Sequence, residues 1–416
     1  MNKFFKLLLI PLSLIILYVV SPSFISIIYA EVFEFNAEDY YASDQSISEK
    51  NPANSEDIDK ENCINNQIQA VLSSNGDLNS DPYTSEFHFI KKFDRDGNLI
   101  GSWGTVGSND GQFLHAHGIT VDKQDNVYVS DGENCNIQKF DSNGKFLKMW
   151  GKEGEKIGEF KKPWGVALDS KDNVYVSDQA LPRVQKFDSE GNFLKMWGKE
   201  GSKKGQFVHQ HDITVDSNNM VYVTDGRQNS RISVFDDQGK FIKMWGSEGK
   251  GEGQFIEDHG IVVDSEGNVY VVDTRNVRVQ KFDSDGNFIT MWGQEGNSQG
   301  EFKKPWGVAL DSKNNVYVSD QTLPRVQKFD SDGNFIDMWG KEGHKKGQFV
   351  HQHDITVDSN DHVYVTDGRE NSRVAVFDTN GKFLKHWGSE GKDEGQFIEN
   401  HGIVVDSEGN VYVVDT

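Results

Sequence analysis

The chain has 416 residues, a formal charge of −22, 41 glycines and nine tryptophans. A mean hydropathy of −0.63 excludes a multi-span membrane protein, and a pI near 4.9 argues against nucleic acid as the main partner, since phosphate binding needs a basic surface. Aromatic residues make up 12% and run evenly along most of the chain, which excludes wholesale disorder.

Lys3 and Lys6 precede an apolar stretch that runs from Leu7 to about Ala30. A basic start, an apolar middle and a small residue before Glu31 predict a signal peptide over residues 1–30, or a retained membrane anchor of the same length. Either outcome puts the remainder outside the cytoplasm, secreted or at the cell surface. Residues 31–85 carry twelve acidic and two basic side chains. Such a segment buries too little apolar surface to offset its ordering entropy, so a flexible acidic tether is expected. The two cysteines, Cys63 and Cys135, form either one disulfide pinning the tether or two separate thiols.

From residue 86 the sequence is periodic. Trp-Gly recurs at Trp103, Trp150, Trp197, Trp245, Trp292, Trp339 and Trp387, with spacings of 47 or 48 residues. Gly-x-Phe recurs at Phe113, Phe160, Phe207, Phe255, Phe302, Phe349 and Phe397 with the same rhythm. Each unit holds four short runs of β-type alternation, in the third unit Asp212–Asp216, Val221–Asp225, Ile232–Asp236 and Lys240–Trp245. Asn, Asp, Gly and Ser punctuate them, as hairpin turns require. Four strands in such a unit make a propeller blade.

Inner strand pairs (Ile-x-Val-Asp, then Val-Tyr-Val) and outer pairs (Phe-Asp-x-x-Gly-x-Phe, then Trp-Gly) each occur seven times. The first outer pair, Phe87–Gly104, precedes any inner pair, and the last inner pair, His401–Thr416, has no outer pair after it. The predicted fold is therefore all-β, a seven-bladed propeller over residues 86–416 whose ring closes when the N-terminal outer strands complete the last blade. Closure removes exposed strand edges. A longer period is superimposed: residues 158–273 match 300–415 with 17 differences in 116 positions, so a three-blade cassette is duplicated.

Gly-x-Phe, Gly-Ile-x-Val-Asp, Asn-Val-Tyr-Val-x-Asp and Asn-x-Arg-Val-x-x-Phe together resemble the NHL repeat, which implies a propeller without fixing an activity. Most recurring residues have structural roles. The Trp-Gly tryptophans are expected between neighbouring blades. Asp131, Asp178, Asp225, Asp273, Asp320, Asp367 and Asp415 end second strands, and Arg183, Arg231, Arg278, Arg325 and Arg373 begin third strands, so an Asp–Arg tie across that turn is expected. The Asp-Ser-Asp-Gly-Asn tracts lack EF-hand ligand spacing and are read as hairpin turns.

Histidine is the exception. His117, His211, His259, His353 and His401 share one repeat position at the entrance to the first strand, where the second and fifth blades have Trp164 and Trp306. First strands line the central channel, so these seven residues form a ring. His115, His209 and His351 lie two residues earlier, in the loop above it. Converging imidazoles suit zinc or copper, and these five ring histidines are the candidate metal ligands. The alternative is that each caps its own strand. Arg227, Arg275 and Arg369, with Gln179 and Gln321, follow the second strand and belong on the same face. With His209, His351, Trp164 and Trp306 they are candidates for holding a protein, a peptide or a small anionic ligand.

Segments Gly205–Phe235 and Gly347–Phe377 also resemble the peptidyl-hydroxyglycine amidating lyase. That resemblance implies zinc on His117, His211, His259, His353 and His401, and abstraction of a hydroxyl proton from a carbinolamide. It departs from that family in blade number and in having Glu133, Arg227 and Arg369 where the family has a catalytic tyrosine. The expected function is an exported, monomeric binding module presenting its His/Arg face. A zinc-dependent lyase on that face is the alternative, ahead of a streptogramin-type lyase or an RNA-binding NHL domain, which acidity and export disfavour.

Overall fold

The computed structural model describes residues 89–226 and 228–415. The predicted leader and tether, Cys63 and Arg227 lie outside the described residues. Seven four-stranded antiparallel sheets follow one another. The first blade is Ala116–Val121, Val127–Asp131, Asn136–Phe140 and Phe146–Trp150, in that order from inner to outer strand. Blades two to six repeat it, with first strands at Pro163–Leu168, Gln210–Val215, Asp258–Val263, Pro305–Leu310 and Gln352–Val357.

The seventh blade joins the two ends of the propeller. Asn400–Val405 and Val411–Asp415 supply its inner strands, and Ile90–Phe93 and Leu99–Trp103 supply its outer ones. Ile90 pairs with Val414 and Phe93 with Val411. The ring closes as expected, with seven blades.

Burial explains the strand patterns. Every residue of the seven second strands is buried, from Val127–Asp131 to Val411–Asp415, because each blade is packed on both faces. Fourth strands are partly exposed, each showing at least one large apolar side chain to solvent, such as Ile100 and Leu147. The tryptophans do wedge between blades. A Cβ on Gly144 in the first blade would lie 2.4 Å from Trp103 Cε3 of the blade before it, so that contact requires glycine. Trp103 also meets Phe140 and Tyr412, at 5.9 and 6.2 Å between centroids.

The Asp-rich tracts are hairpin turns whose carboxylates are used internally. Asp122 Oδ1 accepts from the Gln124 and Asn126 amides, while Oδ2 accepts from Asn126 Nδ2 and the Tyr128 hydroxyl. The Asp–Arg tie forms at Asp225–Arg231, Asp273–Arg278 and Asp367–Arg373, at 3.3, 2.9 and 3.3 Å. The Arg183 and Arg325 guanidiniums instead bond loop carbonyl oxygens, among them those of Glu159 and Glu301, at 2.7 Å each. Cys135 is buried, with Sγ 3.2 Å from the Lys161 carbonyl oxygen.

Candidate functional site at the axial mouth

The entrance to each first strand repeats a three-residue pattern. The residues just before the predicted ring are Ala116, Pro163, Gln210, Asp258, Pro305, Gln352 and Asn400, and all are buried. The ring residues themselves, His117, Trp164, His211, His259, Trp306, His353 and His401, are half-buried. So are the residues two positions before them: His115, Lys162, His209, Glu257, Lys304, His351 and Glu399. Strand alternation turns the middle residue into the blade stack and its two neighbours toward the axis. A register shift interrupts pairing here in all seven blades, as between Gln210 and Ile213 or Asn400 and Ile403. Such bulges re-aim side chains beside functional sites.

The mouth therefore has two tiers. In the lower tier the rings of His353 and His401 lie 4.4 Å apart and those of His211 and His259 lie 4.7 Å apart. His117 and His259 pack tilted against Trp164 and Trp306, with ring centroids 3.4 and 3.9 Å apart. His117 is 6.2 Å from His401. The upper tier overlaps the lower: His209 meets His211 and His351 meets His353, both at 4.6 Å. Lys162 and Lys304 place their Nζ 5.0 and 5.1 Å from the Trp164 and Trp306 rings, within cation–π reach.

Among the described residues, one group brings three metal-ligating side chains together: His353, Glu399 and His401 offer donor atoms all within 4.8 Å of one another. Glu399 Oε1 lies 3.6 Å from His353 Nε2 and 3.9 Å from His401 Nε2. Two of the five predicted ligands thus meet, and the third donor is a carboxylate outside the predicted histidine ring. Glu399 occupies the repeat position of His115, His209 and His351, so position was its available signal. His117, His211 and His259 are placed elsewhere around the mouth.

Burial and neighbouring charges set the protonation state of several side chains around the mouth. Burial, reinforced by His353, pushes His401 down to about 3, and burial with His353 and Arg369 nearby pushes His351 to about 3. Burial holds His117 well below the usual imidazole range. These imidazoles are neutral at pH 7. The proximity of His353, opposed by burial and aided by His401 and Arg369, holds Glu399 at about 2, as a carboxylate.

The predicted arginines divide. Arg275 pairs Nε with Glu257 Oε2 at 2.5 Å, and Glu257 Oε1 lies 3.3 Å from His259 Nε2. Burial raises the Glu257 pKa, but His259 and Arg275 outweigh it and hold the group at about 2. Lys304 lies in the combined field of Glu257, Arg369 and Arg275, with its pKa lowered chiefly by burial. Deeper in the channel, Asp354 Oδ1 accepts from the Ile355 amide and Oδ2 from the Ile403 amide of the next blade, at 2.8 and 3.2 Å. Burial raises Asp354 to about 6 and its repeat partner Asp212 to about 7.

Comparison with known proteins agrees with this architecture. A family model described as NHL repeat matches residues 113–140 and 353–377. Another, described as 6-bladed beta-propeller, matches residues 209–283, a stretch too short to bear on the seven blades seen here. No curated protein matches the chain. Similar solved structures include a streptogramin B lyase (12% identity, TM-score 0.57, covering 79% of this chain and 98% of that one). A catalytically inactive virginiamycin B lyase from Staphylococcus aureus with quinupristin is similar at 13% identity and TM-score 0.57, covering 79% and 99%. U3-55K is similar at 11% identity and TM-score 0.55, covering 74% and 97%. At these identities the likeness shows the fold alone. The chain is a seven-bladed β-propeller, two stretches of which match the NHL repeat.

Proposed function

We propose that this propeller is an exported binding module whose axial mouth holds a small anionic ligand, or the acidic end of a peptide, beside a metal ion on His353, Glu399 and His401. The observation that carries this reading is the convergence of those three donors within 4.8 Å. Two imidazoles and one carboxylate are donors that zinc accepts in sites with an open position, and copper also takes imidazole. A metal bound there supplies a Lewis acid for an oxygen of the ligand. Around it, Arg369 and Lys304 supply positive charge, and the face of Trp306 lies under Lys304.

Elemental analysis of the purified full chain tests the metal: about one zinc or copper per chain is expected. His353→Ala and His401→Ala should each abolish uptake, and a metal-free protein that takes up neither ion in titration sinks the reading. A second reading, a metal-dependent lyase on the same face, draws support from the lyases among the fold neighbours. The amidating-lyase variant of it lacks its tyrosine, since Glu133 and Arg369 follow the Asp-Gly pairs in those blades. Under the binding-module reading, quinupristin incubated with zinc-loaded protein stays intact by mass spectrometry.

A further inference from the structure

The duplicated cassette copies the metal-ligating set as well as the blades. His211, Glu257 and His259 stand 142 residues before His353, Glu399 and His401, and all three residue types are kept. The copies share much of their geometry. The imidazole pairs lie 4.7 and 4.4 Å apart, and the carboxylates lie 3.3 and 3.9 Å from the second histidine of each pair. Their surroundings differ. Glu257 divides its two oxygens between His259 and the guanidinium of Arg275, whereas Glu399 turns one oxygen toward both imidazoles of its set.

The geometry points to a second divalent-cation site at His211, Glu257 and His259, held closed by Arg275, which supplies a built-in positive charge in place of the metal. A guanidinium bonded to one carboxylate oxygen neutralises the charge that would attract a cation and holds that oxygen away from the histidine pair. Removing it frees that oxygen to turn toward the two imidazoles and leaves a set equivalent to the one around Glu399. The Arg275 side chain is 58% exposed at the rim, so its replacement opens no cavity in the blade stack. The axial mouth is then a pseudo-symmetric pair of sites, one open and one locked by an ion pair. A ligand bearing a carboxylate can compete for Arg275 and release Glu257, coupling ligand binding to uptake of the second ion.

This inference builds on the metal reading of the mouth, and the test separates the two. Apo full-length protein is titrated with zinc by calorimetry, and bound metal is counted after gel filtration, for the parent, Arg275→Gln and Arg275→Ala. Either substitution should add one equivalent to the parent value. In the Arg275→Gln background, His211→Ala should remove the added equivalent, and His353→Ala should leave it in place. If folded Arg275→Gln and Arg275→Ala both bind no more zinc than the parent, the locked site does not exist, whatever the parent binds. The inference also falls if the added equivalent survives His211→Ala. A parent that binds none while Arg275→Gln binds one overturns the open site and leaves the locked one standing.

Discussion

Asn400 Nδ2 donates to the Arg373 carbonyl oxygen at 2.8 Å, whereas Asp258, its counterpart in the first cassette, is sealed between blades with neither carboxylate oxygen hydrogen-bonded. The pair is one of the 17 differences between cassettes and the only one at that buried position. Burial first, then the fields of Asp225, Asp273 and Glu257, raises the Asp258 pKa well above its usual value.

Asp258→Asn should therefore stabilise the propeller at neutral pH by about 1–3 kcal/mol, the cost of an unsatisfied buried polar group. The sign with pH follows from linkage. A carboxyl raised in the fold binds its proton more tightly there than in the unfolded chain. Its contribution is thus intact below about pH 4 and is lost as pH rises. The advantage of Asp258→Asn should be small at pH 4 and larger at pH 8, as read by urea denaturation at both.

Ring closure places Ile90 in the interior of the seventh blade, fully buried beside Val414, while Ile100 on the outer strand is 52% exposed. Ile90→Ala should cost about 2–5 kcal/mol, and Ile100→Ala should stay within about 0.5 kcal/mol. Equal losses from the two substitutions in thermal unfolding would contradict the closure.

Gly239 and Gly205 share a left-handed backbone, with φ of +70° and +69°, but not a neighbourhood. A Cβ on Gly239 would fall 2.4 Å from Trp197 Cε3, and one on Gly205 meets nothing nearer than 3.7 Å. Gly205→Ala should cost about 1 kcal/mol from backbone strain alone. Gly239→Ala adds displacement of the inter-blade tryptophan and should cost about 2 kcal/mol more. Denaturation midpoints, with Trp fluorescence as the probe, distinguish them.

Under the metal reading, Glu399→Gln should weaken zinc binding by about tenfold or more, since it removes a charged ligand. Glu257→Gln should leave the affinity of the open site unchanged. Calorimetric titration of both variants gives the comparison.

Much of this architecture is legible in the chain because it is locally encoded. The Trp-Gly and Gly-x-Phe rhythm follows from one blade's turn and core requirements, repeated, and the two orphan half-blades imply the pairing seen between Ile90 and Val414. The common register of the ring histidines is likewise a fixed offset from each first strand. Residue type does not mark Glu399 and Glu257, because their repeat position holds histidine in three blades and lysine, as Lys162 and Lys304, in two.

Spacing alone determined the strand count per blade, the number of blades and which residues face the axis, because hairpin turns and strand alternation act over a few residues. Which of those residues meet was decided only by the closed ring. His401 lies 4.4 Å from His353 of the preceding blade and 6.2 Å from His117 of the first blade, a neighbour only because the ends of the propeller join. The side chain facing each carboxylate, Arg275 for Glu257 and His353 for Glu399, depends on rotamers and loop paths converging from different blades. Period in the sequence carries no information on that convergence, since it places equivalent residues at equivalent positions and leaves the contacts between blades to packing.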